Sequence, residues 1–170
     1  MQMEKLLETQ RLHLREFTPE DAPFMVKLMN SPGWLKFIGD RKVYNEEDAR
    51  KYLVEGSIES YRTYGYGFYI VIRKEDMVPL GTCGLTQRPF LKLPDFGFAF
   101  LPEYTGQGYA FEVAVACLNF IRDTLDIKQL MAITRPDNAK SIRLLQKLDF
   151  SFSETIQDKK EDVSVYIRFL

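Results

Sequence analysis

Phe98-Ala99-Phe100-Leu101-Pro102-Glu103-Tyr104-Thr105-Gly106-Gln107-Gly108-Tyr109-Ala110-Phe111-Glu112 passes from an apolar strand, through a loop with two glycines one residue apart, into a helix. Glycines so spaced let the backbone approach a ligand closely, and the free N–H groups of the helix's first turn can bind phosphate oxygens. The same spacing also serves as a plain strand-to-helix turn. No Gly-Lys-Ser/Thr follows, so this is not a Walker A loop, and the third glycine of a dinucleotide fingerprint is missing. The helix it opens, Gly106 to Leu125, has charges only at Glu112, Arg122 and Asp123, which predicts extensive burial.

Toward the N-terminus, Asp95 to Leu101 follows two other strands, Phe68 to Arg73 and Val78 to Gln87, which the Lys74-Glu75-Asp76 turn joins into an antiparallel hairpin. Ahead of them, Asn45-Glu46-Glu47-Asp48 is an N-cap with first-turn acids. It starts a helix with Ala49, Tyr52, Leu53 and Ser57 on one face that ends near Tyr64, with Gly65 as its stop. Thr18-Pro19-Glu20-Asp21 opens an earlier helix carrying Phe24, Met25, Leu28 and Met29, which Ser31-Pro32-Gly33 breaks. Gln10 to Phe17 alternates as the first strand. Downstream come a strand at Leu130 to Thr134, a helix at Asn138 to Leu148, and strands at Phe150 to Ile156 and Val163 to Phe169. This order fits a mixed α/β sheet with helices on both faces.

The 170 residues, 45% apolar and 28% charged, suffice for one sizeable core and not for two ordinary domains, so residues 1–170 read as a single domain. With 23 Lys and Arg against 24 Asp and Glu, the net charge of -1 gives no overall field for nucleic acid or an anionic membrane, and neither is expected as a partner. No apolar run reaches the roughly 20 residues of a membrane-spanning helix. The opening Met1 to Gln10 lacks the basic flank and apolar stretch of a signal peptide, so the expected location is cytoplasmic. Cys83 and Cys117 have no paired spacing and His13 is the single histidine, which argues against a zinc site or a disulfide framework. Alternation sets His13 opposite Leu12 and Leu14, as an exposed or edge-strand residue without a catalytic role.

A second motif is Asn138-Ala139-Lys140-Ser141-Ile142-Arg143-Leu144-Leu145-Gln146-Lys147-Leu148-Asp149-Phe150. Together with Thr105-Gly106-Gln107-Gly108-Tyr109-Ala110 it resembles the GNAT superfamily of acyl-CoA-dependent N-acyltransferases, whose signatures are a Q/R-x-x-G-x-G/A loop and a later N-x-x-S helix. Thr9-x-Arg11-Leu12-x-Leu14-Arg15 and Gly108-Tyr109-Ala110-x-Glu112 are similar to the RimJ/RimL-type branch. The resemblance runs from Thr9 to about Phe152. It implies an α/β (α+β) fold with a mixed, mostly antiparallel twisted sheet of about six to seven strands. It implies an acetyl-CoA-dependent N-acetyltransferase acting on a primary amine, a protein N-terminus or a small molecule, by direct attack in a ternary complex. The alternative is a noncatalytic CoA-binding regulatory module of the same fold. A monomer or a homodimer fits either reading.

Carried over residue by residue, the resemblance implies that main-chain groups of Phe98, Ala99 and Phe100 pair with the pantetheine arm. The N–H groups of Gly106, Gln107, Gly108, Tyr109 and Ala110 would hold the pyrophosphate, and Asn138 the arm. Ser141 would lie near the thioester sulfur, either as proton donor to the thiolate or as a cofactor contact only. Thr105 stands where the family has Gln or Arg, and Asp149 where it has glycine. Leu145 occupies the position of a frequent tyrosine acid, and Ile133 that of a glutamate base. Asp95 either takes the amine proton through water or is a solvated strand-end charge. Glu112, the single acid in an apolar stretch, would suit a base if buried but reads rather as a structural anchor for a neighbouring loop, and Cys117 as core packing rather than an acetyl-carrying nucleophile. Trp34, Phe37, Tyr61, Tyr64, Tyr66, Phe68 and Tyr69 could wall an acceptor cleft, though most are expected in the core. Segments Trp34 to Tyr44 and Leu91 to Pro94 are expected to shape that cleft.

Overall fold

A computed structural model describes residues 5–170; the opening Met1 to Gln10 lies partly outside that range. Among the described residues eight strands form one sheet in the order β1-β2-β3-β4-β5-β6-β8-β7. The strands are β1 (Leu7–Glu8), β2 (Leu12–Glu16), β3 (Phe68–Arg73), β4 (Pro79–Thr86), β5 (Asp95–Phe100), β6 (Gln129–Thr134), β7 (Ser151–Asp158) and β8 (Glu161–Phe169). Every pairing is antiparallel except β5 with β6. Seven strands match the segments read from sequence, and the two-residue β1 is the addition.

Between them lie α1 (Ala22–Met29), α2 (Pro32–Phe37), α3 (Glu46–Leu53), α4 (Glu59–Tyr64), α5 (Tyr109–Thr124) and α6 (Ala139–Lys147). Asn45 Oδ1 accepts the Asp48 N–H at 2.9 Å and starts α3. A π turn at Val54–Ile58 carries the chain into α4, which ends at Gly65 with φ 76. Pro32 does more than break α1: at the first position of α2 its fixed φ is already helical.

Alternation along β3 shows how the sheet divides two cores. Tyr69 and Val71 join Leu12, Leu14 and the buried face of α5, Val113, Ala114, Cys117, Leu118 and Ile121. Ile70 and Ile72 face the other way, onto Met25, Leu28, Ala49 and Leu53 of α1 and α3. Cys83 and Cys117 are free thiols buried in the first core, and burial pushes the Cys83 thiol well up. His13 departs from expectation. It is 4% exposed because β1 pairs outside β2, with Glu8 opposite His13, so β2 is not the edge. Desolvation holds its imidazole below the ordinary value.

Candidate active site

β5 and β6 share a single register pair, Asp95 with Met131, and then part. Leu101 N–H donates to Leu80 O at 2.9 Å, which sets the odd-numbered residues of β5 with their main-chain groups toward β4. Met131 N–H donates to Pro94 O at 3.0 Å on the opposite side. Phe98 and Phe100 therefore turn their N–H and C=O groups into the gap that β6 leaves. Ala99 does not. Its main chain faces Thr82 of β4, so it can offer the gap only its methyl group, which corrects the expectation of three consecutive main-chain partners.

The gap runs into the glycine loop. Gly106 and Gly108 have φ 73 and 82, a left-handed conformation that favours glycine at both positions. The N–H groups from Gly106 to Ala110 find no acceptor among the described residues. They form a run of free donors at the positive end of α5. Thr105 Oγ1 donates to Pro102 O at 2.9 Å and Gln107 Nε2 to Glu103 O at 2.9 Å, so both side chains are spent on the loop itself.

Arg11 braces this loop from behind. Its Nη1 donates to Gln107 O at 3.0 Å, its Nε to Glu112 Oε2 at 2.6 Å, and its guanidinium lies 4.3 Å from the Tyr109 ring centre. Glu112 Oε1 also accepts from Thr9 Oγ1 at 2.6 Å and from Arg11 N–H at 2.8 Å. Burial pushes the Glu112 carboxyl up, but the hydrogen bonds from Thr9 and Arg11 outweigh it and hold it below the ordinary value. Glu112 is an anchor, as its sequence position suggested. The partner was hidden, because 101 residues separate it from Arg11.

On the other side of the gap, Asn138 Oδ1 accepts the Ser141 N–H at 3.2 Å and starts α6. The Asn138 amide nitrogen and the Ser141 hydroxyl have no hydrogen-bond partner among the described residues, and both residues line the cleft. Leu145 is 1% exposed and packs into the core, so no proton donor stands at that position. Asp149 ends the helix at φ 60, the conformation for which the family's glycine is suited.

Asp95 is no solvated strand-end charge. It is 2% exposed, with Arg88 Nε donating to Oδ2 at 2.5 Å and Ile133 N–H to Oδ1 at 3.3 Å. Burial pushes its pKa up to about 6 against the opposing pull of Arg88 and the Ile133 N–H.

One cleft of about 1070 Å³ takes in Asp95, Phe98, Ala99, Phe100, the loop from Thr105 to Ala110 except Gln107, Asn138 and Ser141. It continues to a wall of Trp34, Phe37, Ile38, Arg41, Tyr52, Phe68 and Arg88. Of the aromatic residues expected there, Tyr61, Tyr66 and Tyr69 go to the core; the Tyr61 hydroxyl bridges Phe17 N–H and Phe68 O. Tyr64 is half exposed. The Leu91 to Pro94 segment does not reach the cleft: Leu91 and Leu93 pack with Met131 and Val165. Arg41, Tyr52 and Arg88 carried no motif, and only the path of the chain brings them together.

The family model for the acetyltransferase (GNAT) domain matches residues 11–151. The chain is 27% identical over 165 residues to the uncharacterized protein YkkB of Bacillus subtilis, covering 95% of this chain and 94% of that one. An acetyltransferase from Agrobacterium tumefaciens superposes with a TM-score of 0.82 at 23% identity, covering 99% and 95% of the two chains. RimL, a ribosomal L7/L12 α-N-protein acetyltransferase solved in complex with coenzyme A, gives 0.80 at 20% identity, covering 98% of each. Glycine loop, Asn-x-x-Ser helix, parted strands and these likenesses agree: the chain belongs to the GNAT family of acetyltransferases.

Proposed function

We propose that this acetyltransferase moves an acetyl group from acetyl-CoA to a primary amine, of a small molecule or a protein N-terminus, by direct attack in a ternary complex. The observation that carries the reading is the meeting, in one cleft, of an unpaired strand edge with a run of free N–H donors. The edge groups of Phe98 and Phe100 suit an arm made of amide units. The donors from Gly106 to Ala110, Gln107 by its N–H alone, suit a pyrophosphate. Asn138 offers its amide nitrogen to the arm.

Acetyl-CoA supplies the activated thioester carbonyl. The amine must present a neutral lone pair. As its nitrogen bonds to the carbonyl carbon and the carbon–sulfur bond breaks, one proton leaves nitrogen and the thiolate needs one. Asp95, through water, is the acceptor: with its pKa near 6 it is ionised at neutral pH and more basic than an ordinary aspartate. Ser141 donates to sulfur through its unpaired hydroxyl and is replenished from solvent. An α-amino group of pKa about 8 is roughly a tenth neutral at pH 7, a lysine amine only a few parts in ten thousand. A site without the family's glutamate and tyrosine therefore favours the first. Residues 1–170 act as one domain in this reading.

Calorimetric titration with acetyl-CoA, followed by thiol release over a panel of amines, tests it. Saturable binding with turnover on at least one amine is expected, and no detectable binding overturns it. Leu145 and Ile133, both apolar, favour a second reading, a CoA-binding module without catalysis, which predicts binding and no turnover on any amine.

A further inference from the structure

The acceptor end of the cleft is positively charged and has no free carboxylate. Arg41 lines it, is exposed, and has no hydrogen bond or ion pair with any described residue. Among the described residues the single acid on the cleft wall, Asp95, is already held by the Nε of Arg88; that guanidinium lies 6.0 Å from the Phe90 ring centre, and its outer nitrogens have no hydrogen-bond partner. The Tyr52 hydroxyl also has no hydrogen-bond partner among the described residues, and both Arg41 and Arg88 act on it electrostatically: burial raises its pKa while the two cations lower it.

The loop that carries Arg41 is built to present it. Asp40 Oδ1 accepts the Lys42 N–H at 2.7 Å and Asp40 Oδ2 the Tyr44 hydroxyl at 2.6 Å. Asn30 Nδ2 donates to Val43 O at 2.8 Å and ties the same loop to α1. Lys42 takes φ 57, so the turn is held in a conformation that side chains seldom adopt. Beside these donors the wall is apolar, with Trp34, Phe37 and Phe68.

We propose that the acceptor is a small primary amine that carries a carboxylate on an apolar body, the carboxylate being received by Arg41 with the outer nitrogens of Arg88 and the Tyr52 hydroxyl. This rests on the reading of the cleft as an amine acetylation site. A guanidinium meets a carboxylate through two parallel hydrogen bonds, and such charge-assisted bonds are about twice as strong as neutral ones. Polyamines and lysine-rich peptides fit badly, because a second ammonium would meet unpaired cations.

The test compares matched pairs, L-phenylalanine with phenethylamine and L-leucine with 3-methylbutylamine, and adds spermidine and a neutral peptide amide. The wild-type protein is expected to prefer each carboxylate-bearing amine by about tenfold or more in kcat/KM, through KM. Arg41→Gln should collapse that preference toward unity, and Arg41→Lys should restore part of it. Binding of 3-phenylpropanoate, which has the carboxylate but no amine, is read by calorimetry on the CoA complex and is expected to be lost in Arg41→Gln. Because that arm needs no turnover, it separates the two failures: carboxylate binding lost in Arg41→Gln without acetylation of any amine overturns the reading of function and leaves only the carboxylate subsite standing, whereas turnover without carboxylate preference overturns the subsite alone. Equal or better turnover of phenethylamine, spermidine or the peptide amide overturns the proposal, as does 3-phenylpropanoate binding unaffected by Arg41→Gln.

Discussion

Replacing Arg11 by alanine isolates how a main-chain cradle is kept in shape. Three contacts go: the pair with Glu112 at 2.6 Å, the hydrogen bond to Gln107 O at 3.0 Å, and the guanidinium over Tyr109 at 4.3 Å. The arginine side chain is 41% exposed and the glutamate 19%, so the ion pair sits near the upper end of surface values, about 0.5–1 kcal/mol. A neutral acceptor at the surface adds about 0.5–1 kcal/mol, and a cation over an aromatic ring about as much. Because the contacts share one side chain they do not simply add, and we expect about 2 kcal/mol in all. For a chain of this size that lowers the melting temperature by about 4–8 °C. Glu112 keeps its bonds from Thr9 and the Arg11 N–H, so the fold survives. The Gln107 peptide loses its brace, and the loop must then be ordered by the ligand itself, a cost that appears as acetyl-CoA affinity weakened by about three- to tenfold. Calorimetric unfolding and acetyl-CoA titration measure both effects. As a control, Lys27→Ala breaks an exposed pair with Glu103 and should change neither by much. An Arg11→Ala protein that melts within a degree of wild type and binds with unchanged affinity would refute the brace.

Gly108→Val forces a branched side chain to φ 82, with its Cβ 3.3 Å from Arg11 Nη2, at a cost of about 1–2 kcal/mol, and should abolish acetyl-CoA binding while circular dichroism stays native. Asp149→Gly relieves a left-handed helix end at φ 60 and should raise stability by about 0.5–1 kcal/mol in denaturant unfolding. Asp95→Asn should remove an inflection near pH 6 from the activity profile, because the Asp95 carboxylate is the accepting form and is present only above about 6. Ser141→Ala should lower turnover with nearly normal acetyl-CoA affinity, and unchanged turnover would reduce Ser141 to packing. The Glu112 carboxyl has a depressed pKa, so the stability it confers is present above its ordinary value of 4.5 and is lost as pH falls through the folded value; acid unfolding of Glu112→Gln should be correspondingly less steep.

What could be read from the chain divides along the distance over which a signal acts. Caps and stops are local, so Asn45, Gly65 and the start of α6 at Asn138 stood where their residue types placed them. Strand alternation is local too, and Leu12 and Leu14 share the core side of β2. It fails where a neighbour is needed. His13 looked exposed because nothing in the composition of Lys5 to Glu8 announces that so short a strand covers β2. The resemblance names Phe98, Ala99 and Phe100 as one segment, whereas hydrogen-bonding direction depends on which residue of β4 lies opposite. Asp95 and Arg88 are seven residues apart, yet their pairing is set by the course of the loop between them. Sequence alone could give Asp95 an acidic side chain but not its burial, and burial is what moves its pKa.

The two halves of the cleft solve opposite electrostatic problems, and this bears on the acceptor. At the glycine loop, main-chain dipoles offer donors suited to anionic phosphates, and these donors do not titrate. At the far wall the charge is on guanidinium groups, Arg41 and Arg88, with Asp95 neutralising part of the second. A protonated amine arriving there meets like charge, which lowers its pKa and favours the neutral lone pair that attack requires. In the proposal above the same arginines would also anchor a carboxylate on that amine, which offsets part of this effect once the acceptor is seated. With leucine and isoleucine where the resemblance places a tyrosine and a glutamate, this fixed positive charge would complement Asp95, the proposed proton acceptor.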